Sequence, residues 1–113
     1  MATDNAIKLL IETGQKTYVQ VVKLSSRFPC VIGRQSPDIL INDPMLSRKH
    51  CQLLLESGVL YVEDLGSSNG VEVNGSMIKR MRLRIDDHIR VGTTHIKVVG
   101  ISLGPKKTSK VSF

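Results

Sequence analysis

The chain has 113 residues, of which 41% are apolar, enough for one domain that buries its own core without metal or disulfide staples. Sixteen Lys and Arg against ten Asp and Glu leave a net charge of +6, which favours anionic partners without saying which. No apolar run approaches the length of a membrane-spanning helix, and M-A-T-D-N-A does not begin like a secretory signal.

Period-two alternation runs through almost the whole chain. I-K-L-L-I-E (7–12) and T-Y-V-Q-V-V-K-L (17–24) read as strands on either side of a Thr13-Gly14 turn. C-V-I-G-R (30–34) is the next, and a polar stretch from Gln35 to Lys49 follows, holding Pro37, Pro44 and at most a short strand, I-L-I, at 39–41. C-Q-L-L-L-E (51–56) and V-L-Y-V-E-D (59–64) flank Ser57-Gly58 and form a hairpin. G-S-S-N-G (66–70) is a second polar loop. V-E-V-N (71–74) runs into Asn74-Gly75, the strongest hairpin signal present, because both residues tolerate positive φ. R-L-R-I (82–85), I-R-V-G (89–92) and H-I-K-V-V (95–99) complete the set, with Asp86-Asp87 as a turn. No segment sustains a helical apolar period. About ten short strands at this spacing predict an all-β sandwich, whose loops at one end would carry function.

Cys30 and Cys51 are isolated and flanked by apolar residues. They read as buried free thiols of a reducing compartment. The stretch L-S-R-K-H-C (46–51) gathers a hydroxyl, two cations and an imidazole. A nucleophile needs a base, an orienting group and an oxyanion hole, and no G-x-S-x-G elbow is present. The His and Cys residues lack the pairwise spacing of a zinc site. An anion seat fits better. Gly33-Arg34, Ser47-Arg48 and Ser68-Asn69-Gly70 supply guanidinium forks, small hydroxyls and turn-forming residues, all in or beside loops. No nucleotide P-loop pattern occurs, so the seat would be assembled from separate loops.

These residues resemble the forkhead-associated (FHA) domain family. G-R at 33–34, S-R-K-H at 47–50, S-S-N-G at 67–70 and V-N-G at 73–75 stand in that family's order and separations, and the spacer D-I-L-I-N-D-P-M-L before Ser47 is similar too. The detailed likeness runs from about Phe28 to Val99, with the strands at 7–24 supplying the remainder. The resemblance implies an eleven-stranded, antiparallel-type β-sandwich of the FHA/SMAD-like kind over residues 1–103, followed by a basic tail at 104–113. It implies a phosphothreonine-peptide reader with no catalytic activity and no cofactor. Carried over by position, Arg34, Ser47, Arg48 and Ser68 would hold the phosphate, and Asn69 the peptide backbone. His50 would brace the loops, while Gly33 and Gly70 would permit their turns. Phosphothreonine brings about −1.5 to −2 charges and three strong acceptor oxygens.

Position 71 is Val, where such domains often carry Thr. Met45, two residues before Ser47, would favour an apolar residue at +3 from the phosphothreonine, whereas Arg80 and Arg82 would favour an acidic one. The expected partner is a phosphothreonine-containing protein, met by a monomer in the cytoplasm, or the nucleus of a eukaryote. No small-molecule substrate and no membrane contact are expected. A phosphate-independent adaptor is the alternative, with the basic run K-R-M-R-L-R (79–84) as the surface through which the sandwich would self-associate. Nucleic acid is disfavoured, because the chain has only four aromatics and no stacking motif. Thr3, Thr108 and Ser109, near the ends, are candidate phosphorylation sites for self-regulation.

Overall fold

A computed structural model describes residues 5–35 and 38–103. The basic tail, Thr3, Thr108 and Ser109 lie outside the described residues. Eleven strands are present among those described: β1 (Asn5–Thr13), β2 (Lys16–Leu24), β3 (Cys30–Gly33), β4 (Ile39–Leu40), β5 (Cys51–Glu56), β6 (Val59–Asp64), β7 (Val71–Val73), β8 (Ser76–Ile78), β9 (Arg80–Arg82), β10 (His88–Val91) and β11 (Thr94–Ser102). They form two sheets, β2-β1-β11-β10-β7-β8 and β4-β3-β5-β6-β9. All pairings are antiparallel except a two-residue parallel contact of β3 with β4, where Ile32 faces Ile39 and Gly33 faces Leu40.

The alternation seen in the sequence sorts side chains between core and solvent. Ile7, Leu9 and Ile11 of β1, Leu53 and Leu55 of β5, Leu60 and Val62 of β6 and Ile96 and Val98 of β11 point inward and are buried. Each fully buried Leu, Ile or Val side chain contributes about 1.5–3 kcal/mol of transfer free energy. A bulge opposite Lys8 and Leu9 shifts the register of β11 once.

The turns follow their residue types. Ser57 (φ 52°) and Gly58 (76°), and Asn74 (52°) and Gly75 (88°), both take the left-handed pair of angles that a type I′ hairpin needs. Two elements differ from expectation. β8 follows the Asn74-Gly75 turn and pairs with β7 through Val71–Ile78, and no apolar alternation in S-M-I announced it. The strand expected at 82–85 lies instead at Arg80–Arg82. Asp87 is the reason: its carboxylate accepts the Arg84 N–H at 2.7 Å and folds 84–87 into a turn, with Asp86 at φ 77°.

Candidate functional site

Arg34 and Gln35, just after β3, meet the β4–β5 and β6–β7 connections at one rim of the sandwich. Arg34 leaves β3 beside the segment 46–48. Its backbone N–H donates to Ser47 O at 3.0 Å, and the Gln35 N–H donates to Arg48 O at 3.1 Å. The Arg34 Nε–H donates to Leu46 O at 2.9 Å, which sets the plane of the guanidinium. Gly33 makes this approach possible, because a Cβ there would overlap the carbonyl of Arg48.

His50 is fully buried. Its Nδ1 accepts the Ser47 N–H at 3.0 Å, so Nε2 carries the proton and donates to Gly70 O at 2.8 Å. One ring thereby joins the β4–β5 and β6–β7 loops. The Ser68 N–H donates to Ser47 Oγ at 3.1 Å, and Asn69 Nδ2 donates to Met45 O at 2.7 Å. The β6–β7 loop is braced from within: Ser67 N–H donates to Asp64 Oδ1, and Gly70 N–H to Ser67 Oγ, each at 2.9 Å. Gly70 sits at φ 82°, a left-handed angle that side-chain-bearing residues rarely adopt.

Arg34, Ser47, Ser68 and Asn69 are therefore linked by direct hydrogen bonds to one another or to the same short segment. Arg48 lies on that segment, with an exposed side chain. Met45 stands beside them, about half exposed, on a cleft of about 280 Å³ whose other lining residues include Asn69, Glu72, Arg90 and Thr93. Arg80 and Arg82 do not line this cleft. Arg80 pairs with Glu56 and stacks 4.2 Å from the Tyr61 ring, and Arg82 borders a groove beside Leu83 and Ile101. The cation at the cleft is Arg90, which no motif singled out. It donates to Glu72 at 2.6 Å, and this bond holds the Glu72 carboxyl below its usual range.

Asp43 was also missed. It is almost fully buried, and its carboxylate accepts the N–H of Met45 and of Thr93 and the hydroxyls of Thr93 and Thr94 at 2.8–2.9 Å. Thr94 Oγ1 lies 2.8 Å from Thr13 Oγ1. A hydroxyl has one proton, so with Thr94 donating to Asp43, Thr13 donates to Thr94. Burial by itself raises the Asp43 carboxyl. The donors of Met45, Thr94 and Thr93 outweigh it and hold the carboxyl below its ordinary value. The available signal was N-D-P, since Asp before Pro initiates turns by accepting a backbone N–H two residues on.

Both cysteines are buried, and burial pushes each thiol up to about 12, with Asp38 adding to it for Cys30 and Asp64 for Cys51. Neither is poised as a nucleophile. Among the described residues no group of three or more His, Cys, Asp or Glu gathers for a metal ion, and no helix is long and apolar enough to cross a membrane.

The sequence matches the family model described as FHA domain over residues 30–92. Among curated proteins, it is 33% identical over 75 residues to the FHA domain-containing protein FhaB of Mycobacterium tuberculosis, covering 65% of this chain and 48% of that protein. The chain thus matches about half the length of this relative. The structure resembles the FHA domain of an Arabidopsis thaliana protein, with a TM-score of 0.74 at 27% identity over 92% of each chain. It also resembles a domain solved in a study of phosphothreonine-dependent FHA domain interactions, with a TM-score of 0.71 at 26% identity, covering 83% of this chain and 95% of that one. By its residues, its eleven strands and these matches, the chain belongs to the FHA domain family.

Proposed function

We propose that this domain is a reader of phosphothreonine peptides, joining its host protein to phosphorylated partners without a chemical step of its own. The observation that carries this is the hydrogen-bonded meeting of the Arg34, Ser47 and Ser68 segments at one rim. Arg34, with Nε committed to Leu46 O, would offer its Nη pair to two phosphate oxygens. Ser47 Oγ already accepts from the Ser68 N–H, so its own proton would be directed to the ligand. Arg48 and the Ser68 hydroxyl would complete the seat, and Asn69 would hold the peptide backbone. The likeness to a domain solved for phosphothreonine-dependent interactions supports the same ligand class.

The residues beyond the phosphothreonine would run over the cleft beside Met45. Its apolar side chain favours an apolar residue there, and Glu72 already neutralises Arg90. The protein would work in the cytoplasm, or in the nucleus of a eukaryotic cell.

Calorimetric titration of a phosphothreonine peptide library, its unphosphorylated counterpart and an Arg34→Ala variant tests the proposal. Wild type should bind only the phosphorylated peptides. Losing charge-assisted bonds worth about 1.5–3 kcal/mol should weaken the variant by roughly 10- to 100-fold. Equal binding by both proteins, or indifference to phosphatase treatment, would overturn it in favour of a phosphate-independent adaptor.

A further inference from the structure

Among the described residues four strands stand at a sheet edge: β2 and β8 in one sheet, β4 and β9 in the other. An open edge presents unpaired N–H and C=O groups, and proteins blunt such edges by shortness, charge, proline or a bulge. Three of these four are blunted. β4 has two residues, β8 has three, and β9 has three, including Arg80 and Arg82. β2 has nine residues, no proline, and an unbroken register with β1. Its outward face carries Val19 and Val21, 52% and 54% exposed, and its only charges, Lys16 and Lys23, stand at or next to its ends.

The hairpin geometry shows which groups face outward. β1 and β2 are joined by the two-residue turn Gly14-Gln15, with Gly14 at φ 60° and Thr13 opposite Lys16. In such a hairpin the pair flanking the turn exchanges both backbone bonds, and bonded pairs alternate from there. Lys16, Tyr18, Gln20 and Val22 therefore direct their backbone groups to β1, while Val19 and Val21 direct theirs away from the sheet.

We propose that β2 pairs antiparallel with β2 of a second copy of this chain, about a two-fold axis at Gln20. In that register Val19 faces the partner's Val21, and Val21 the partner's Val19, both as hydrogen-bonded pairs on the same sheet face. Leu10, beside Val19 on β1, extends the apolar patch. Tyr18 faces the partner's Val22, and Thr17 the partner's Lys23, so no like charges stand opposite. The edge is complementary to itself, which is why a second copy is the occupant. The two six-stranded sheets become one continuous sheet. The contact is small, so association is reversible, and the monomer expected from the sequence is its dilute limit.

Sedimentation equilibrium from about 1 µM to about 1 mM, spanning weak to moderate affinities, tests this without any phosphopeptide. The average mass should rise from 12.5 kDa towards twice that value. A Val19→Lys/Val21→Lys chain should stay at single-chain mass, and so should a Val19→Glu/Val21→Glu chain. An equimolar mixture of the two should associate, because each contact between positions 19 and 21 then joins opposite charges. Wild type at single-chain mass throughout, a Lys variant that pairs like wild type, or a mixture that stays apart would each overturn the proposal.

Discussion

His50 satisfies a backbone donor at Ser47 and a backbone acceptor at Gly70 with the two nitrogens of one buried ring. His50→Ala leaves both groups unpaired and opens a cavity. Each unsatisfied buried group costs about 1–3 kcal/mol, so a stability loss of at least ~2 kcal/mol is expected in urea unfolding. The separation of the two loops should also weaken phosphopeptide binding under conditions where the variant is still folded. Gly33→Ala acts differently. Its methyl would collide with the Arg48 carbonyl, which belongs to backbone and has little freedom to yield. Forced overpacking costs about 1–3 kcal/mol, again readable as a shift in urea midpoint. In the sequence, S-R-K-H was legible as a hydroxyl, two cations and an imidazole side by side, and G-R as a loop guanidinium that also matches the family's motif. The closeness of Gly33 to Arg48 was not, since it depends on how two segments 15 residues apart come to lie side by side.

Asp43 ties the β4–β5 loop to the turn between β10 and β11. A carboxyl whose folded value is lowered adds stability above its unfolded value, near 3.9, and loses it as pH falls through the folded one. Stability should therefore drop on acidification below about pH 4, and Asp43→Asn should flatten that limb. At neutral pH the variant should be about 1–3 kcal/mol less stable, because an amide nitrogen replaces one accepting oxygen. Chemical denaturation at several pH values measures both effects. At this scale the alternating strands and the glycine turns were readable, because period and φ preference are local properties. N-D-P marked Asp43 only as a turn former, since its Thr93 and Thr94 partners lie 50 and 51 residues away, and Arg90 had no local signal, its partner lying 18 residues away. The misplaced ninth strand has the same cause: its end is set by the Asp87 carboxylate and not by the alternation of R-L-R-I.

Over the whole molecule, the charge of +6 should hasten the approach of a doubly charged peptide. Raising salt should therefore slow association much more than it changes dissociation, which stopped-flow fluorescence can separate. Binding should also fall below about pH 6, where the phosphate takes up its second proton. The family match begins at residue 30 and stops at residue 92, yet β1, β2 and β11 lie wholly outside it. A fragment limited to residues 30–92 keeps Arg34, Ser47 and Ser68 but discards half of the six-stranded sheet. It should show no cooperative melting transition by circular dichroism.

The Asp43 carboxylate reaches Thr93 and Thr94, and through Thr94 reaches Thr13, 81 positions earlier in the chain. The groove that would receive a peptide is thus clasped by residues of β1 and β11, and it should not acquire its shape while β11 is unmade. During synthesis it would mature only after β11 has emerged, and a chain cut before that strand would be blind to phosphorylated partners however many of the contact residues it already possessed.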